Sequence, residues 1–137
     1  ECKFKVSAHC GHGNPCAGKL MESLGAGSIN PIRDIQLQML AALRQAIDIP
    51  IDVHTENPES SGGFIRHYEA PEMVRVSSPI YLKTGGSVAK THSWETTEAD
   101  AIKRAKQVQL VERAIRQYYP EAVCSKRGPD DLRIPGK

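Results

Sequence analysis

Four short apolar runs recur along the chain, each closing on polar residues: Phe4 to His9, Gly27 to Asn30, Ile49 to Glu56 and Pro79 to Thr84. Between the second and third, Ile32, Ile35, Met39, Leu40, Leu43 and Ile47 recur at intervals of three and four with polar residues opposite, which predicts an amphipathic helix. A second long helix is expected after the last run. Thr97 is its N-cap, Glu98 and Asp100 lie in its first turn, and Ile102, Ala105, Val108, Val111, Ile115 and Tyr118 form its buried stripe up to Pro120. Shorter helices are expected over Ala17 to Leu24 and Ala70 to Val76.

Strands that alternate with helices pair in parallel, because a parallel neighbour is reached only through a long crossover. Four successive βα units with a ragged start predict an α/β fold corresponding to half of a (β/α)8 barrel, numbered as its last four units, rather than a complete doubly wound domain, which would want a fifth strand. A small four-stranded α/β sandwich is the alternative. The units occupy residues 1–120, and 121–137, broken by Pro and Gly, reads as an irregular tail. The chain opens at Glu1 and enters a strand-like run within three residues, which reads as cut from a longer chain.

Composition narrows the class. With 39% hydrophobic residues, 25% charged residues and a net charge of +2, the 137 residues have the balance of a globular domain with one core. No apolar run approaches the ~18 residues that span a bilayer, and no leader-like segment precedes residue 20, so a cytoplasmic location without membrane partners is expected. The charges are mixed, and two Phe, four Tyr and one Trp offer little for base stacking, so no nucleic-acid partner is expected. Four Cys are too few for a disulfide scaffold of this size, and reduced thiols follow.

In a barrel, chemistry gathers at the carboxyl ends of the strands. After the first run comes His9-Cys10-Gly11-His12-Gly13-Asn14-Pro15-Cys16, which offers metal ligands, a nucleophilic thiol or simply a glycine-rich turn with buried thiols, at a spacing that fits no standard zinc signature. The third run places Asp52, His54 and Glu56 on one strand face, with Glu56 nearest the active end, His54 able to tune it, and Asp52 deeper and tied to Lys83 or Arg66. The long loop Asn57 to Glu69 reads as a lid in which Gly62 and Gly63 permit close backbone approach and Arg66 clamps a carboxylate or phosphate. The last run ends with Lys83 near the mouth, as anchor, Schiff-base amine or partner of Glu56, followed by Gly85 and Gly86 where barrels often bind phosphate.

The run IPIDVHTENPESSGGFIRHYEAPEMVRVSSPIYLKTGG, from Ile49 onward, resembles the C-terminal part of bacterial barrel proteins known as collagenase-like peptidases of unknown catalytic type. In that family an IPxDVxxExP strand is followed by GGFxRxYExPExxRxxxPxYLK. Asp52, Glu56, Gly62, Gly63, Phe64, Arg66, Tyr68, Glu69, Pro71, Glu72, Arg75, Pro79, Tyr81, Leu82 and Lys83 carry the match. The resemblance implies a barrel and a peptidase-like activity. Members of the wider family are also associated with RNA or cofactor hydroxylation and with iron–sulfur clusters held by four Cys, a spacing that Cys2, Cys10, Cys16 and Cys124 do not reproduce.

The expected activity is hydrolysis of an amide or peptide-like substrate, with Glu56 as general base, His9 or His54 as second acid/base, and Lys83 and Arg66 stabilising negative charge. Asn30, Arg66, Gly62, Gly63, Glu69, Gly85 and Gly86 complete the substrate-binding set. A divalent metal such as zinc on His9, His12 and Glu56 would activate water to the same end. The alternatives are a non-catalytic subunit that completes a barrel, as a homo-oligomer or with a missing N-terminal half, and a lyase or aldolase using Lys83.

Overall fold

The computed structural model describes residues 4–88 and 96–125; Cys2 and the tail from residue 126 onward lie outside the described residues. Four strands, β1 (Lys5–Val6), β2 (Ser28–Ile29), β3 (Ile51–His54) and β6 (Ile80–Lys83), form one sheet in the order β1-β2-β3-β6. β1 and β2 are parallel, with Val6 opposite Ile29, and β2 and β3 are parallel, with Ile29 opposite Ile51. The Ile51 amide donates to the Pro79 carbonyl at 3.2 Å and the Thr55 amide to the Lys83 carbonyl at 3.1 Å, so β3 and β6 advance together and are parallel. Spatial order follows chain order, without the reversal of a doubly wound sheet. The protein is therefore α/β with four successive parallel strands, the arrangement that half of a (β/α)8 barrel requires.

The helices are α1 (Pro15–Ser23), α2 (Leu37–Ala46), α3 (Ala70–Ser77) and α4 (Glu98–Tyr118). A short hairpin, β4 (Glu56–Asn57) with β5 (Phe64–Ile65), stands outside the main sheet. Contacts divide the chain into two compact units, 1–53 with 72–81 and 123–137, and 54–71 with 82–122.

The first unit is built on apolar packing. Parallel register puts Val6, Ile29 and Ile51 on one face of the sheet, and all three are buried with Leu40, Leu43 and Ile47. Gly18 is what lets α1 approach: a β carbon there would sit 2.4 Å from Leu43 Cδ1 and 3.6 Å from Ile29 Cδ1. Each buried Leu or Ile contributes about 1.5–3 kcal/mol. α1 starts where Asn14 accepts the Ala17 amide at 2.9 Å and Pro15 opens the first turn. Glu22, near its other end, accepts the Asp48 amide at 2.6 Å and the Ile49 amide at 3.2 Å, fastening the α2–β3 connection. On the other sheet face Lys5 pairs with the buried Asp52 at 3.1 Å and lies 4.4 Å from the Tyr81 ring centre. Asp52 thus takes Lys5, a partner the sequence reading did not name.

The second unit is stitched by turns. Glu56 lies opposite Ile65 and Asn57 opposite Phe64 in the antiparallel hairpin. Gly62, left-handed at φ 101°, and Gly63, whose amide donates to the Pro58 carbonyl at 3.0 Å, close it. The expected lid is therefore a hairpin followed by the tight turn His67–Glu69, both ordered by their own hydrogen bonds. α4 begins as expected, with reciprocal bonds between Thr97 and Asp100.

Three element expectations are corrected. α2 starts at Leu37 rather than Ile32, because Pro31 to Gln36 form a separate turn in which the Ile32 amide is taken by the His12 carbonyl. The third run ends as a strand at His54, since Thr55 bends the chain and Glu56 joins the hairpin. In α4 the expected stripe is mostly uncovered: Val111 is buried, while Ile102, Val108 and Tyr118 are exposed. The inward face runs through Arg104, Gln107, Val111, Ala114 and Ile115, which mixes polar and apolar residues and hid the true side from periodicity.

Candidate functional site

Within the second unit, the hairpin returns the chain so that His67, eleven residues after Glu56, meets it. His67 Nε2 lies 2.7 Å from Glu56 Oε2. Glu56 is 0% exposed and the His67 side chain 14% exposed. The other carboxylate oxygen, Oε1, accepts the Ser87 amide at 3.3 Å. A buried carboxylate survives when each oxygen has a donor, and both oxygens of Glu56 do. In a neutral imidazole facing an ionised Glu56, Nε2 carries the hydrogen and Nδ1 keeps a lone pair, the arrangement in which an imidazole takes up and returns a proton.

The Gly85-Gly86-Ser87 turn brings the second donor. Gly85 is left-handed at φ 88°, and Gly86 lies beside the Glu56 carbonyl, 3.5 Å from where its β carbon would be. Thr55, fully buried, bonds the Thr84 hydroxyl at 2.9 Å and the Lys83 carbonyl at 3.3 Å, fixing the path from β6 into that turn. The glycine pair therefore serves the protein's own carboxylate: the Ser87 N–H that a phosphate could have used is held by Glu56. Arg66 is similarly engaged. Its Nη2 and Nε lie 2.6 and 2.7 Å from Glu69 Oε2, so the expected clamp for an external anion carries an internal one. Gly62 and Gly63 close the hairpin.

Lys83 is exposed at the end of β6 and His54 half-buried at the end of β3. Glu56 takes His67 and the Ser87 amide, not Lys83. His9, Asn30 and His12 belong to the first unit. His9 is exposed, 3.0 Å from Arg33; Asn30 is buried with its amide on the Val6 carbonyl at 2.8 Å. His12 is buried, and neither ring nitrogen has a partner among the described residues. Burial pushes its proton affinity below the ordinary histidine range. Cys10 and Cys16 are exposed free thiols, against the expected buried turn. No group of three or more His, Cys, Asp or Glu side chains among the described residues is placed to hold a metal ion; of the expected zinc set, His9 and His12 lie in the first unit and Glu56 in the second.

His67 was missed by sequence reasoning. The strand pattern ended at Glu56, and only a hairpin register pairing Glu56 with Ile65 could have pointed to a histidine two residues further on.

No protein-family model matches the chain. No curated protein matches it. Among solved structures it is similar to a phosphonopyruvate hydrolase in complex with oxalate and Mg2+, with a TM-score of 0.42 and 16% identity over 98% of this chain. The chain spans 65% of that protein's length. No helix among the described residues is long and apolar enough to cross a membrane.

Proposed function

We propose that the chain carries an acid–base site for hydrolysis of an amide or peptide-like bond, with His67 moving the proton and Glu56 orienting it. The supporting observation is the 2.7 Å bond between the His67 ring and a carboxylate removed from water. In this reading Nδ1 of His67 takes a proton from the attacking water and returns it to the leaving nitrogen, while Nε2–H stays on Glu56. Glu56 moves from the general-base role read in the sequence to a positioning one, because its two oxygens are already occupied. The exposed Lys83 is the cation for charge developing on the carbonyl oxygen. The choice of an amide rests on the resemblance to collagenase-like peptidases.

Peptide and amide hydrolysis by wild type, His67→Gln and Glu56→Gln tests this. A loss of about 10²–10⁴-fold in kcat/KM is expected for each, with unchanged far-UV circular dichroism. Wild-type rates in both variants would reject the assignment.

A second reading, a non-catalytic subunit that completes a barrel with another copy, is favoured by one observation: β1 and β6 are each paired on one side only among the described residues. Light scattering that gives the mass of one chain across the micromolar range would reject it.

A further inference from the structure

We infer that Arg104 forms an anion subsite beside the Glu56–His67 pair, so that the molecule taken by this site carries a carboxylate or phosphate group. The assignment rests on the reading of that pair as the reacting centre.

Arg104 sits on the inward face of α4, a helix that packs on both turns of the site, His67–Glu69 and Gly86–Val88. Its stem is seated on the glycine pair. A β carbon on Gly85 would lie 3.1 Å from both Cβ and Cγ of Arg104. Its Nε is shielded from solvent and has no hydrogen-bond partner among the described residues. A guanidinium N–H removed from water and left unpaired is costly, and native structures fill such positions with an acceptor.

Among the described residues, the carboxylates of the two turns and the one a turn earlier on α4 are otherwise committed. Glu56 holds His67 and the Ser87 amide, Glu69 holds Arg66, and Asp100, one turn earlier on α4, bonds the Thr97 hydroxyl at 2.8 Å and its amide at 3.3 Å. Asp100 acts on Arg104 only through space. Among the described residues none is left to serve as its acceptor, and a bound molecule would supply one. A planar guanidinium offers Nε–H and one Nη–H side by side, which matches two oxygens of a carboxylate or phosphate. The sequence placed an anion near Gly85 and Gly86; here the recognising group is an arginine from the following helix, which no glycine motif announces.

Inorganic phosphate and sodium acetate, titrated separately at constant ionic strength into the full 15N-labelled chain, distinguish the two anion types. The expected result is saturable binding of at least one, reported by the Arg104 Nε–H and the Gly85 to Ser87 amides. Arg104→Gln should weaken it at least tenfold. Lys106→Gln, an exposed charge on the same helix, should leave it unchanged, and Arg104→Lys, which keeps the charge but loses the fork, should fall between. No saturable binding of either anion, or equal weakening by the Arg104 and Lys106 changes, overturns the subsite. The reading of the pair fails separately: anion binding that depends on Arg104 in a protein whose His67 ring makes no bond to Glu56 would remove the proton-transfer role and keep the subsite.

Discussion

The two compact units each hold a histidine that is largely withdrawn from solvent, His12 fully and His67 in part, and the two could hardly be used more differently. His12, in the first, is 3% exposed and its ring meets no hydrogen-bond partner among the described residues; His67, in the second, is held at 2.7 Å by a carboxylate. Burial alone leaves an imidazole neutral and without direction, whereas a carboxylate partner fixes which nitrogen carries the hydrogen and which is free to react. The same contrast runs through the surroundings. The first unit closes around Ile29, Leu40, Leu43, Ile47 and Ile51, and the second, among the described residues, contributes mostly hydrogen-bonded polar groups, with Ala70 and Val111 in the buried apolar set. Stability is concentrated in one and candidate chemistry in the other.

The largest expected effect comes from attacking the packed unit. Leu43→Ala removes a fully buried side chain that meets Gly18 across the α1–α2 contact and should cost about 3 kcal/mol in urea unfolding. The ring signals of His67 should be unchanged in the molecules that remain folded. A cost under about 1 kcal/mol would mean that the apolar layer is not what holds the first unit.

Glu22→Gln should cost about 1–2 kcal/mol near neutral pH, because a charged acceptor for the Asp48 and Ile49 amides is lost. Burial works against ionisation of Glu22, but Lys19 at 2.8 Å and the two amides outweigh it and hold its proton affinity below the ordinary carboxylate range. Its contribution is thus complete above the ordinary carboxylate value and disappears as pH falls through the lower folded one. Wild type and variant should converge in stability only once the pH has fallen below the ordinary carboxylate range. A gap that persists at acid pH would assign the effect to shape rather than charge.

His12→Phe sharpens the comparison of the two rings most gently. The unfolded chain takes up a proton near 6.5 and the folded chain resists it, so His12 lowers stability as pH drops below that value. The wild type should lose more stability than the variant as the pH falls from about 7 to about 5.5. Equal slopes would show that His12 has a partner in solution.

Much of the fold could be read from residue pattern, and little of the site. The parallel order followed from apolar runs separated by helical periods, and the Thr97 cap from its own chemistry, because both are local signals. α4 was placed correctly along the chain but turned to the wrong side, since its inward face mixes Arg104 and Gln107 with Val111. Glu56 was singled out for its position at the end of a strand, which it left by a single bend at Thr55. His67 carried no comparable signal: its meeting with Glu56 depends on hairpin register, on two consecutive left-handed glycines and on a distant turn that supplies Ser87, none of which has a period. Arg66 and the glycine pair were recognised as anion binders, and the anions they hold belong to the protein.

The tautomer of His67 tests the account most directly. In 15N-histidine-labelled protein near neutral pH, Nε2 should show a bonded hydrogen and Nδ1 a free lone pair, and Glu56→Gln should erase that preference while the His12 ring stays as it was. A His67 ring that exchanges freely between both forms in the wild type would contradict the pairing on which the proposed chemistry stands.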